Sequence, residues 1–117
     1  MPTLEEYFND PGAIAELILK AIVLLGDYTN WCQGDAAALT ADCRRTRPAS
    51  PEAVAWTIEG ALAKFSPHGV LTPKVLWYMD WLVFEKTGRE DGVAWFNNMY
   101  DHGTIIDFLE EAYKRLP

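Results

Sequence analysis

The sequence predicts a mainly α protein: a compact single domain, residues 1–117, of four principal helices, with a short irregular hairpin or loop between the first and second. Three observations carry that prediction. Apolar residues recur at helical spacing in four separate stretches, and each stretch opens on a helix-start signal. The one long segment without periodicity, residues 30–49, is broken by Gly34, Asp35, Asp42 and Pro48. Half of the residues are apolar and 23% are charged, which is the composition of a folded core rather than of a disordered chain.

The elements follow in order. Asp10 stands as an N-cap before Pro11 at the first helical position. Ile14, Leu17, Ile18, Ala21, Ile22 and Leu25 then form one face, and Gly26 ends the helix. Leu4 to Phe8 reads as a short helical turn that packs Tyr7 and Phe8 inward. In the aperiodic segment a short hairpin is expected around Gln33–Leu39 and Cys43–Arg47. Ser50-Pro51-Glu52 opens a second helix over 51–65, with Val54, Ile58, Ala61, Leu62 and Phe65 inward. Thr72-Pro73 opens a third, running to Lys86 and stopped by Thr87-Gly88. Residues 91–98 add a helical turn around Val93, Trp95 and Phe96. Thr104 with Asp107 resembles a shortened capping box and launches the last helix through Ile105, Leu109, Ala112, Tyr113 and Leu116.

Charge and composition narrow the function classes. Seventeen acidic residues against ten basic ones give a net charge of −7, which opposes a phosphate backbone and suits a basic protein partner. No apolar run reaches the ~18 residues of a membrane span, and the acidic amino end lacks the basic start of an export signal. A cytoplasmic protein with no membrane or nucleic-acid partner is expected, and Cys32 and Cys43 are then expected as free thiols.

At about 100° per residue, a 51–65 helix centred on Ile58 would carry Trp56 on its far side, flanked by Gly60 and Ala63. In the 73–86 helix the core stripe is Val75, Leu76, Met79 and Val83, while Trp77, Trp81 and Phe84 form a second stripe. Either that helix is buried all round, or the second stripe is an aromatic patch that marks a protein interface or a homodimer seam.

No catalytic constellation stands out. His68 and His102 lie in Gly-flanked turns, and two cysteines ten residues apart with scattered histidines do not make a zinc site. Phosphate-cradling, zinc-protease and serine-hydrolase motifs are absent, and no cofactor or metal is expected. Trp31-Cys32-Gln33-Gly34 is the most informative short run. Trp31 caps the core and Gly34 permits a turn, and a pocket walled by Trp31, Gln33, Trp56 and Trp95, with His102 as the proton-transfer group, is the small-ligand alternative.

The order Trp31-Cys32-Gln33-Gly34, then Ser50-Pro51-Glu52-Ala53-Val54-x-Trp56, then Gly60-Ala61-Leu62, resembles a family of small uncharacterised bacterial and phage proteins. Trp95-Phe96-Asn97-Asn98 and the helix from Thr104 to Ala112 resemble that family's closing parts, with Asn98 where an acid is usual. The likeness spans about residues 30–115. It implies a fold unit and an accessory setting, not a reaction.

The leading expectation is a non-enzymatic accessory protein, such as a phage- or prophage-derived inhibitor of a host or defence protein. Trp56, Trp77, Trp81 and Phe84 would anchor its basic partner. The alternatives are the small-molecule binder or small enzyme just described, and a structural homodimer.

Overall fold

The computed structural model describes residues 11–66 and 72–116. Among them are five α-helices, a short 3-10 turn and a three-stranded sheet, so the fold is mostly helical but has one helix more than expected, and a sheet. In chain order the elements are α1 (Pro11–Leu25), the 3-10 turn Tyr28–Asn30, β1 (Ala38–Thr40), β2 (Arg45–Thr46), β3 (Ala53–Trp56), α2 (Ile58–Phe65), α3 (Thr72–Thr87), α4 (Gly92–Met99) and α5 (His102–Lys114). The Asp10 cap, the Leu4–Phe8 turn and His68 lie outside the described residues.

α1 buries Ile14, Leu17, Ile18, Ala21 and Leu25 as its spacing requires, and Gly26 N–H closes the final turn on Ile22 O at 2.8 Å. Asp27 then caps the 3-10 turn, accepting from the Thr29 hydroxyl at 2.7 Å and from Thr29 N at 3.0 Å, and these bonds hold its carboxyl below the usual range. The expected hairpin forms as β1 and β2, with Ala38 opposite Thr46 and Leu39 opposite Arg45. Cys43 takes the left-handed position in its turn, at φ 64°. Cys32 and Cys43 are not bonded to one another.

The helix expected over 51–65 is the main correction. Ser50-Pro51-Glu52 forms a turn instead: Ser50 Oγ accepts from Glu52 N at 3.2 Å, and Ser50 O accepts from Ala53 N at 3.1 Å. A serine ahead of a Pro-Glu pair signals either device, because the same oxygen satisfies nearby N–H groups in both. Ala53–Trp56 then pairs antiparallel with β1, giving the order β2-β1-β3. Val54, expected inside, is exposed. The helix starts only at Ile58, where Thr57 is the N-cap and its hydroxyl accepts from Gly60 N at 3.1 Å. Gly60 does not share an open face with Trp56. It presses on the loop before β1, where a Cβ would lie 1.9 Å from Ala37 O.

In α3, Val75, Met79 and Val83 are buried as expected, but so are Tyr78 and Leu82, while Leu76 is half-buried. Gly88, at φ 75°, ends the helix and donates to Phe84 O at 2.7 Å. Residues 91–98 form more than a turn: α4 is a two-turn helix burying Val93, Phe96 and Asn97. α5 is capped three residues earlier than expected, by Asp101, whose carboxylate accepts from Thr104 N at 2.9 Å. Ile105, Phe108, Leu109 and Ala112 carry its inner face, while Tyr113 is exposed.

Candidate binding face

Two of the residues expected to line a small-ligand pocket, Trp31 and Gln33, are tied to α4 by hydrogen bonds. Asn97, in the last turn of α4, is only 1% exposed and is the hub. Its Oδ1 accepts from the Trp31 indole N–H at 2.9 Å and from Ile58 N at 3.2 Å. Its Nδ2 donates to Cys32 O at 3.1 Å and to Asn98 Oδ1 at 3.3 Å. That satisfies both lone pairs and both protons of one carboxamide. Gln33 extends the clasp, its Nε2 lying 3.1–3.2 Å from the carbonyls of Asn97, Asn98 and Tyr100, which end α4. Asn98 Oδ1 accepts from Gly34 N at 2.8 Å, and Gly34 supplies the φ of 121° that aims this N–H.

Trp31 and Cys32 also run beside β3. Trp31 forms a parallel bridge with Trp56, and Cys32 N donates to Trp56 O at 2.9 Å. Burial raises the Cys32 thiol above its ordinary pKa, which makes it a poor nucleophile. His102 stands apart from this network. Its Nε2 lies 2.6 Å from Leu25 O at the carboxyl end of α1, and its ring meets Tyr28 edge-on at 5.4 Å. Trp95 packs against Tyr100 and lies under the Arg89 guanidinium at 4.8 Å. Trp31 and His102 are therefore ring neighbours, at 5.7 Å, and Trp31 and Gln33 meet through Asn97.

The four expected interface anchors separate as well. Trp56 is 6% exposed, donates its indole N–H to Pro48 O at 2.9 Å and carries the Lys64 ammonium over its ring at 5.0 Å. It belongs to the core. Trp77 and Trp81 are half-buried and pack on the core, and Arg115 sits 5.5 Å above the Trp81 ring. Phe84 stands 47% exposed. The second stripe of α3 is thus core at its inner edge and surface at its outer one.

What the sequence did not single out is a groove beside the clasp. The loop Gly34–Ala37, the start of α2 (Thr57 and Glu59) and one side of α4 (Ala94, Asn97 and Asn98) enclose about 230 Å³. Its charged groups are Asp35 and Glu59. Burial, and then the neighbouring Asp80, push the Glu59 carboxyl above its ordinary pKa, even though the first turn of a helix favours a negative charge. Asp80 is fixed from α3, where its Oδ1 accepts from Val93 N at 2.8 Å. It thereby caps α4 in place of Asp91, which makes no side-chain cap. Gly92 leaves room for it, since a Cβ there would sit 3.0 Å from Asp80 Oδ1.

Among the described residues no group of three or more His, Cys, Asp and Glu side chains is placed to hold a metal ion, and no helix is long and apolar enough to cross a membrane. No family model, curated protein or solved structure matches the chain.

Proposed function

We propose that this chain is a non-enzymatic protein-binding accessory protein that engages a basic partner through an acidic and aromatic face. The observation that carries this reading is the use of its polar side chains. The Trp31 indole N–H, the Gln33 Nε2 group, the whole Asn97 carboxamide and Asn98 Oδ1, which would otherwise orient a small ligand, are engaged in holding the fold. The groove beside them holds about 230 Å³. It is the size for one side chain of a larger partner.

The chemistry left at the surface supports the same reading. Phe84 is a large ring held out on a long helix, and the chain's net charge of −7 favours encounter with a basic protein. The likeness to small bacterial and phage proteins favours an accessory role, such as inhibition of a host or defence protein. Trp81 and Phe84 are the proposed anchors, with Trp77 beside them on α3 and the acids around them steering.

The test is affinity capture with the wild-type chain and with Phe84→Glu, whose fold is checked by circular dichroism. A protein retained by the wild type and lost by the variant is the expected result. A ligand-dependent rise in Tm from a nucleotide or metabolite panel, with no protein retained, would move the assignment to a small-molecule binder.

A further inference from the structure

Asp80 links the outer side of α3 to the acidic groove. On α3, Trp77, Asp80 and Phe84 follow one another at helical spacing, so they share a side of the helix. Asp80 reaches from that side to the first turn of α4, and it lies close enough to Glu59 to raise that carboxyl. Glu59 in turn lines the groove with Asp35, Thr57 and Asn98. Phe84 stands one turn, about 6 Å along the axis, beyond Asp80.

Resting on the protein-binding reading, we infer that this surface receives an extended segment of a partner protein in which a basic side chain is followed by an apolar one. The cationic head enters the groove between Asp35 and Glu59, and the apolar neighbour covers Phe84.

Charge complementarity selects this occupant. The negative charge of Asp80 disfavours that of Glu59, and among the described residues neither carboxylate is in a salt bridge, whereas Asp35 pairs with Arg45 at 3.9 Å, both of those groups being widely exposed. A guanidinium or ammonium brought by a partner relieves that repulsion while its stem fills the cavity. An acidic segment would add a third like charge, and a second copy of this chain would bring a net charge of −7 against −7. Thr57 Oγ1 and Asn98 Oδ1 are acceptors, though they already take Gly60 N and Gly34 N, so the carboxylates carry the recognition.

The experiment is a titration of the full chain with a fluorescein-labelled peptide of alternating arginine and leucine, and with its glutamate-for-arginine counterpart, followed by anisotropy and by amide NMR shifts. The arginine peptide is expected to bind and to shift amides in 34–37, 57–60 and 94–98. Its affinity should fall at least about tenfold in the Asp35→Asn, Glu59→Gln variant. A second variant, Asp107→Asn with Glu110→Gln on exposed α5 positions, removes the same charge and should leave binding within about twofold. Equal weakening in both variants, shifts elsewhere, or no binding of the arginine peptide overturns the groove assignment. A natural partner still captured by the Asp35→Asn, Glu59→Gln chain would refute the groove while leaving the protein-binding reading standing, whereas a chain that captures no protein in any form removes both.

Discussion

Removing the Asn97 carboxamide should be among the most damaging single changes this domain can suffer. Asn97→Ala leaves the Trp31 indole N–H, the Ile58 N–H and the Cys32 carbonyl without their partner. Ile58 is fully buried at the start of α2, so its N–H has no route to water. Trp31 is half-buried and can rehydrate at lower cost. Taking about 1 kcal/mol for the indole and about 1–3 kcal/mol for each of the two backbone groups, the loss is about 4 kcal/mol. A chain of this length holds roughly 6–17 kcal/mol in all, so this is a large fraction of its stability. The corresponding drop in Tm is on the order of 15 °C. Urea unfolding followed by far-ultraviolet circular dichroism reads it directly, with an unchanged m value showing that the native fold is retained. Asn97→Asp refines the argument. It keeps the two acceptor positions but loses both donated bonds and buries a charge, so its carboxyl pKa should rise in the folded state. Its stability is then higher near pH 4 and is lost as pH climbs through that raised value. A cost below about 1 kcal/mol for Asn97→Ala would refute the view that the Trp31–Gly34 run and the end of α4 hold each other in place.

Further changes test other joints of the fold. Gly60→Ala places a methyl group 1.9 Å from Ala37 O, a backbone atom that cannot swing aside, so it should lower stability by roughly 3 kcal/mol or prevent folding, as read by soluble yield and Tm. Asp80→Ala uncaps α4 and should cost about 1 kcal/mol in urea unfolding, whereas Asp80→Asn, which keeps the acceptor, should stay within about 0.5 kcal/mol. The same Asp80→Asn change should bring the Glu59 carboxyl back toward its ordinary range, which carboxyl-detected NMR titration follows. Burial pushes the Tyr78 phenol up to about 12, and its hydroxyl donates to Ala112 O at 2.7 Å. Since the unfolded chain loses that proton near pH 10 and the folded one keeps it, stability should fall between pH 10 and 12 by up to roughly 2 kcal/mol. Tyr78→Phe should be less stable at pH 7 by about 1 kcal/mol but should show a shallower alkaline decline.

The helices that stand on their own periodicity were legible in the sequence. α1 and α3 begin and end close to their Pro, Gly and Thr signals, and the inner faces of α1 and α5 match the spacing of their apolar residues. What escaped depends on partners distant in sequence. β3 exists because Ala53–Trp56 finds β1 some fifteen residues earlier, and that pairing overrides a local pattern that also reads as helix. Once the segment is a strand, the angular argument that placed Trp56 on an outer face no longer applies, and the ring is buried beneath Lys64. Asp101 and Thr104 are both good N-caps three residues apart, and the carboxylate wins by accepting the Thr104 N–H. The Trp31–Gly34 run was recognisable as unusual, but its purpose lay with Asn97 and Asn98, more than sixty residues away. Glu59 and Asp80 were visible as acids on separate helices. Only the packing of α2, α3 and α4 sets them side by side.

The central claim is that this domain works by binding a basic protein through the Asp35–Glu59 groove and the Phe84 side of α3. Native mass spectrometry of the chain isolated gently from the cells that express it tests that most directly, run beside the Glu59→Gln, Phe84→Glu form. The account predicts an added mass of protein size on the wild type and none on the variant. An added mass of metabolite size, a bare dimer, or a protein adduct that survives both substitutions would contradict it.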